Sequence, residues 1–188
     1  MTVVKMLPGL DTPARIRATC ALAAVIEAPM AWHFGWSVKL PAYLAFGAVA
    51  ATVTVTDLAA RRIPNRVVGP AALAGPVLLA LASSTSGPWW PLARAGIGAV
   101  LLAGFYLALG LAFPAGMGLG DIKWAGLVGL YLGWVRWEAA STATLVAFAG
   151  AALFIVARRV ASSEHMEHDT LPMAPFIAAG ALVAILAT

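Results

Sequence analysis

Long segments without a single charged side chain dominate this 188-residue sequence. Such a segment crosses the hydrocarbon core of a membrane as a helix when it has roughly 20 residues. Five segments qualify: 40–56, 67–93, 95–120, 139–157 and 170–188. Two weaker segments, 17–36 and 121–134, carry charged residues. Because backbone polar groups in lipid must be satisfied inside the segment, we predict an all-α polytopic membrane protein with about seven transmembrane helices, or six.

The amino-acid composition is also that of a membrane protein. Hydrophobic residues make up 62% and charged residues 11% of the sequence, and the mean hydropathy is +0.90, far from the values of soluble domains. No segment between the spans is long enough to form a soluble core or a linker. We therefore predict one membrane domain over residues 1–188, in which the lipid bilayer surrounds the chain.

The sequence gives little support for a metal site or a disulfide. Cys20 is the only cysteine, which excludes a disulfide framework and a thiolate zinc site. His165, His168 and Asp169 have ligand-like spacing, but a solvated loop between two spans is the better interpretation. We expect no metal and no cofactor.

The basic residues predict an orientation. If the seven spans alternate from a cytoplasmic N-terminus, nine of the twelve Lys and Arg residues lie inside, and only Lys39, Arg94 and Arg136 lie outside. This bias explains the net charge of +4 without a nucleic-acid partner, and it indicates a multi-pass protein of the inner or plasma membrane. An aromatic belt is then expected at the outer interface, formed by Trp36, Trp89, Trp90, Trp134 and Trp137.

Three of the eight acidic residues fall in or at the edge of a predicted span: Glu27, Asp57 and Asp121. A structural role is available to each. Asp57 can pair with Arg61 one helical turn later, Asp121 can be the N-cap of the fifth helix after the glycines, and Glu27 can be a packed, neutral acid or line a substrate groove.

The two aspartates are predicted to lie on the same, cytoplasmic side, because two membrane crossings separate them. Two carboxyl groups held close together share one proton, so that one activates a water molecule while the other protonates a carbonyl oxygen. That is the chemistry of peptide hydrolysis. The glycines at 116, 118 and 120 lack a Cβ and would let an extended peptide approach the backbone.

The sequence around these acids resembles a known family of enzymes. Asp57 is followed by Arg-Arg-Ile-Pro-Asn at 61–65, GMGLGDIKWAGLVGLYLGW occupies 116–134, and the proline-containing LPMAPFIAAGAL occupies 171–182. These motifs resemble the type IV prepilin peptidases, polytopic aspartic proteases of the GxGD class, over residues 40–186.

The resemblance implies that Asp57 and Asp121 form a catalytic dyad and that Gly116, Gly118, Gly120 and Lys123 belong to the active-site loop. It also suggests substrate-groove residues: Glu27, Arg61, Pro64, Asn65, Pro172 and Pro175. The implied reaction removes a short basic leader from a pilin or pseudopilin precursor at the cytoplasmic membrane face. The cysteine-containing insert of the longer members is missing here, so no N-methyltransferase activity is expected.

Other classes remain open at the level of sequence. A presenilin-like intramembrane protease also carries a GxGD loop, although its first acid follows a tyrosine, whereas Thr56 precedes Asp57 here. A small transporter would also place acids near broken helices, but such proteins usually contain repeats, and the sequence shows no internal repeat. A non-catalytic assembly protein is the further alternative, and it would tolerate Asp57→Asn and Asp121→Asn. The sequence does not fix an oligomeric state.

Overall fold

Seven α-helices and no strand make up the described part of the chain, residues 9–86, 88–113, 117–161 and 171–188 of a computed structural model. The helices are α1 (Pro13–Phe34), α2 (Leu40–Ala60), α3 (Asn65–Ser86), α4 (Trp90–Ala112), α5 (Leu119–Val135), α6 (Trp137–Ala161) and α7 (Ala174–Leu186). Four of them, α2, α3, α4 and α6, are long and apolar enough to cross a membrane. The predicted all-α polytopic fold is confirmed.

Prolines set several helix boundaries, and two predicted spans are wrong at these points. The predicted third span, 67–93, is too long: α3 ends at Ser86 and α4 begins at Trp90, with Pro91 in its first turn, and Pro88 lies between the two helices. The fourth helix ends at Ala112, well before the predicted end at Gly120.

The last helix is also shorter than the uncharged segment that contains it. The predicted span 170–188 gives a helix of 13 residues that begins at Ala174, since Leu171 and Pro172 are not helical. At about 1.5 Å per residue, α7 is roughly 20 Å long, shorter than a hydrocarbon core of about 30 Å. Its first turn therefore lies inside the bundle.

The most enclosed helix of the bundle is α5. It packs against α3, α4, α6 and α7, and ten consecutive or nearly consecutive residues between Trp124 and Trp134 are buried. Glycines make the contact with α4 close: a Cβ on Gly98 would lie 2.6 Å from the carbonyl oxygen of Gly129. The first turn of α5, which carries Asp121, lies outside this buried stretch and is exposed or half-buried.

Aromatic side chains join α2 to α5. Phe46 stacks on Trp124 with ring centroids 5.7 Å apart, and the Tyr43 hydroxyl donates a buried hydrogen bond to the Tyr131 carbonyl oxygen at 3.1 Å. The C-terminal end of α2 and the N-terminal end of α5 consequently lie at the same end of the bundle. These are the ends that carry the two aspartates.

Candidate active site

Asp57 lies in the last turn of α2 and is buried, with 6% of its surface exposed. One carboxylate oxygen, Oδ2, accepts a hydrogen bond from the backbone N–H of Ala174 at 3.1 Å. Ala174 is the first residue of α7 and is fully buried. The N-terminus of α7 is therefore directed at the Asp57 carboxylate.

A helix start suits a carboxylate because its first four N–H groups lack acceptors within the helix and carry a partial positive charge. Pro175 occupies the first turn of α7, where a missing N–H costs nothing. Pro172 precedes the helix, so the two prolines flank the donor in sequence. The sequence does not predict the contact of Ala174 with Asp57, because almost any residue can provide a backbone N–H donor. The prolines at 172 and 175 are the only feature of the sequence that indicates a helix start here.

Asp121 is the third residue of α5, and the predicted N-cap role is wrong. Gly118 is the N-cap, and its backbone N–H donates to Oδ2 of Asp121 at 3.0 Å. Asp121 thus fills the acidic position of a capping box, where the side chain reaches back to the cap residue. The carboxylate stabilises the start of α5 in either place, but the cap itself is a glycine.

The turn between α2 and α3 packs on the first turn of α5. Arg61 adopts a left-handed conformation, with φ of 49° and ψ of 41°, and its N–H donates to the Asp57 carbonyl oxygen at 2.8 Å. The chain then turns so that Ile63 lies against Gly120, where a Cβ would be only 3.0 Å from the Cβ of Ile63. Gly120 is thus required by close approach, and Pro64 is buried beneath the turn.

A side-chain hydrogen bond joins the same two segments. The Lys123 ammonium group donates to Oδ1 of Asn65 at 3.1 Å, and both residues are exposed. Asn65 begins α3, so this bond ties the start of α3 to the first turn of α5. Lys123, which the resemblance assigns to the active-site loop, holds these two segments together in the structure.

The two carboxyl groups lie close enough to interact electrostatically, and the Arg61 guanidinium also acts on Asp57. On the other side, the buried Tyr106 of α4 interacts with Asp121. Each aspartate accepts one backbone N–H hydrogen bond, so this pattern does not single out which acid would hold a shared proton. The arrangement is that of two nearby acids, each fixed by a backbone donor.

Polar atoms without a protein partner occur one helical turn from each acid. In the described part of the chain, Thr54 Oγ1 and Trp124 Nε1 are buried and have no hydrogen-bond partner. Buried polar groups are normally satisfied, and water is the usual partner where protein supplies none. These two atoms mark positions where water or a peptide group would be stabilised near the acids.

The remaining predicted site residues lie elsewhere or outside the described residues. Glu27 of α1 is half-buried and lies against Gly47 of α2, about 15 Å from Asp57 along the helix at 1.5 Å per residue. Gly116 and the segment with His165, His168 and Asp169 are outside the described residues. Within the described ranges, no three His, Cys, Asp or Glu side chains group closely enough to hold a metal ion.

An apolar groove begins beside the Asn65–Lys123 bond and runs between α3, α4 and α5. Its volume is about 650 Å³. Besides the polar pair at one end, it is lined by small and aliphatic residues: Val68, Gly69, Ala72, Pro76, Ala99, Val100, Ala103, Gly126, Leu127 and Leu130. The groove therefore connects the polar end of the bundle with its apolar side.

Comparison with known proteins assigns the chain to a family. No curated protein and no solved structure matches it. A family model, that of the type IV leader peptidase family, matches residues 44–187, which include both aspartates, the Asn65–Lys123 pair and the start of α7. The match covers most of the sequence, and the chain belongs to the type IV leader peptidase family.

Proposed function

We propose that Asp57 and Asp121 are the catalytic pair of an aspartic endopeptidase that removes the leader of a pilin-like precursor. Membership of the family makes the chain a membrane protease. The observation that supports the aspartic mechanism is that the two acids lie at one end of the bundle, each accepting a hydrogen bond from a backbone N–H.

The proposed reaction is a hydrolysis by an activated water molecule. The ionised carboxylate takes a proton from the water as its oxygen attacks the scissile carbonyl carbon, and the protonated carboxyl donates to the carbonyl oxygen. The tetrahedral intermediate then breaks at the C–N bond as the leaving nitrogen is protonated. One proton shared by the pair is enough, because the acids exchange roles within one turnover.

The backbone donors give the pair its position without neutralising it. Ala174 and Gly118 each donate to a single oxygen, Oδ2 of Asp57 and Oδ2 of Asp121. We propose that Oδ1 of each acid contacts the water and the substrate. Acids fixed in this way need little reorganisation during the reaction.

The apolar groove between α3, α4 and α5 is the proposed place for the hydrophobic segment that follows the leader in the precursor. It opens toward the lipid-facing sides of α3 and α4, which are mostly exposed, so a helical substrate can enter from the bilayer. Its polar end lies at Asn65 and Lys123. Lys123 follows Asp121 by two residues in the sequence. Neither aspartate lines the groove, so the segment ahead of the seated helix must reach the acids from this polar end.

The experiment that tests the proposed chemistry is co-expression with a pilin or pseudopilin precursor that carries a short basic leader. Wild type is expected to convert the precursor to a shorter band, and Asp57→Asn or Asp121→Asn is expected to leave it uncut. Glu138→Gln is the matched control, since Glu138 is an exposed acid at the start of α6. Cleavage by both Asn variants would exclude the dyad and favour another protease mechanism.

The same assay tests the place and the outcome of cleavage. Mass spectrometry of the product is expected to show a cut before the hydrophobic segment and an unmethylated new N-terminus. Labelling of single cysteines introduced at the two ends of the bundle, in a Cys20→Ser background, is expected to place Asp57 and Asp121 on the cytoplasmic side of the inner membrane. Labelling of the acid end from the periplasm would overturn this orientation.

The groove has its own test in a pair of glycine variants. Gly69 lines the groove and Gly104 of α4 does not, and a Cβ added to either glycine would have open space around it, with no atom within 4 Å. Gly69→Leu is expected to fill the groove and slow cleavage of the full precursor at least tenfold, while Gly104→Leu leaves it unchanged. Equal cleavage by both variants would show that the substrate lies elsewhere.

A further inference from the structure

The end of the bundle opposite the aspartates contains a cavity of about 560 Å³. It is formed where α1 and α5 end and where α2 and α4 begin, and its lining includes His33, Ser37, Lys39, Arg94, Arg136 and Thr188. At about 1.5 Å per residue along α2 and α5, it is roughly 20 to 27 Å from the two acids. It is therefore separate from the proposed active site.

The charge of this cavity is unusual for the chain. Lys39, Arg94 and Arg136 are the three basic residues that the charge bias predicts outside, and all three line it. Its lining contains no Asp or Glu side chain; the nearest such acid in sequence, Glu138, lines a smaller neighbouring cavity together with Arg136. The cations gathered in this lining repel each other, and a bound anion would relieve that repulsion.

Several hydrogen-bond donors of the cavity are not used up by the protein. Arg94 donates through Nε and Nη2 to the carbonyl oxygens of Gly133, Trp134 and Val135, which fixes its guanidinium and leaves Nη1 without an acceptor in the described part. The Lys39 ammonium lies 5.1 Å from the Trp134 ring centroid, and it makes no hydrogen bond to a described residue. Ser37 Oγ is buried and lacks a partner among the described residues.

We propose that this cavity binds a phosphate oxyanion, and that its source is the headgroup of an anionic membrane lipid. The position favours a lipid over a free ion, because exposed tryptophans surround this end: Trp36, Trp89, Trp90 and Trp137. Tryptophan is enriched at the level of lipid headgroups. A phosphate held between Lys39, Arg94 and Arg136 would fix the depth of the bundle in the membrane.

The test uses the full chain in a neutral maltoside detergent, with its affinity tag at the N-terminus because Thr188 lines the cavity. Phosphatidylglycerol, diacylglycerol and inorganic phosphate are each added, the last at constant ionic strength. Melting temperature and the phosphatidylglycerol retained in native mass spectra are measured. We expect phosphatidylglycerol to raise the melting temperature in a saturable manner, and diacylglycerol, which has the tails without the phosphate, to have no such effect.

The variant Lys39→Gln/Arg136→Gln is expected to weaken phosphatidylglycerol binding at least about tenfold, because charge-assisted hydrogen bonds are lost. Arg158→Gln/Arg159→Gln removes the same charge at the other end of α6 and should bind like wild type. Lys39→Gln alone, which breaks no hydrogen bond with the described residues, should reduce retained lipid if the double variant fails to fold. Equal binding by wild type and the cavity variants, or equal stabilisation by diacylglycerol, would overturn the proposal.

The source of the phosphate is decided by the third addition. Stabilisation by inorganic phosphate in a sample that retains no phosphatidylglycerol would assign the site to free phosphate and overturn the lipid source. Absence of this stabilisation, with phosphatidylglycerol still retained by wild type and lost from the Lys39→Gln variant, would support the lipid headgroup.

Discussion

We assign two roles to Asp57, and a comparison of two substitutions at this position can distinguish them. Its carboxylate is a proposed catalytic group, and it is also the acceptor for the buried N–H of Ala174 at the start of α7. Asn keeps a carbonyl oxygen of similar position and can still accept that hydrogen bond, whereas Ala cannot. We therefore expect Asp57→Asn and Asp57→Ala to be equally inactive but unequally stable.

The magnitude follows from the unpaired donor. Both substitutions remove the charge that repels Asp121, so this effect cancels in the comparison. The difference is the cost of leaving the fully buried Ala174 N–H without an acceptor, about 1–3 kcal/mol. For a chain of this size, 1 kcal/mol shifts the melting temperature by about 2–4 °C, so the Ala variant should melt about 2–12 °C below the Asn variant.

The assay combines thermal unfolding in detergent with cleavage of a pilin-like precursor. Loss of a general acid or base lowers the rate by about 10²–10⁴-fold, so both variants should be inactive within the sensitivity of a gel. Glu138→Gln and Glu138→Ala form the control pair, with equal melting temperatures expected because Glu138 is exposed. Equal melting of the two Asp57 variants would refute the role of the α7 hydrogen bond, and cleavage by Asp57→Asn within tenfold of wild type would refute the catalytic one.

Four further substitutions test contacts between the helices. Gly120→Val places two methyl groups against the isoleucine of the α2–α3 turn, which should cost about 1–3 kcal/mol by overpacking and reduce cleavage at least tenfold. Lys123→Met and Asn65→Leu should each reduce the cleavage rate by a similar factor, because each breaks the same hydrogen bond. The double variant should cleave no more slowly than either single variant. If the two reductions in rate instead multiply, the residues have independent roles. Gly180→Ala places a Cβ against the backbone of α6. This overpacking should lower the free energy of unfolding by about 1–3 kcal/mol and the melting temperature by several degrees. Gly104→Ala, where a Cβ has open space around it, should leave the melting temperature unchanged.

The sequence predicts the two acids at one end of the bundle, where α2 ends and α5 begins in the structure; their catalytic pairing stays a prediction. Two crossings of a membrane return a chain to the side from which it started, so Asp57 and Asp121 had to share one end once the spans between them were counted. Span ends were less predictable. The uncharged segment 67–93 contains the polar run Ser-Ser-Thr-Ser-Gly-Pro at 83–88, and a criterion based on charged residues alone does not show that α3 ends and α4 begins there.

Contacts made by backbone atoms were beyond the sequence for a different reason. The donors to the two acids are the N–H groups of Ala174 and Gly118, and any residue except proline provides such a group. Which N–H meets Asp57 depends on how far α7 penetrates the bundle, and that depth is set by the close packing of Gly180 on α6. A small residue at 180 is visible in the sequence, but its distance from the site is not.

Lys123 and Asn65 show how a sequence motif can serve geometry instead of chemistry. Neither side chain hydrogen-bonds to an acid in the described part of the chain; they bond to each other and join the start of α3 to the first turn of α5. Ile63 and Gly120 make the second contact between the same segments. The turn after Asp57 is thereby locked onto the turn that carries Asp121. Because the acids sit on separate helices, the distance between them depends on this pair of contacts, which accounts for residues in both motifs that the proposed reaction itself does not use.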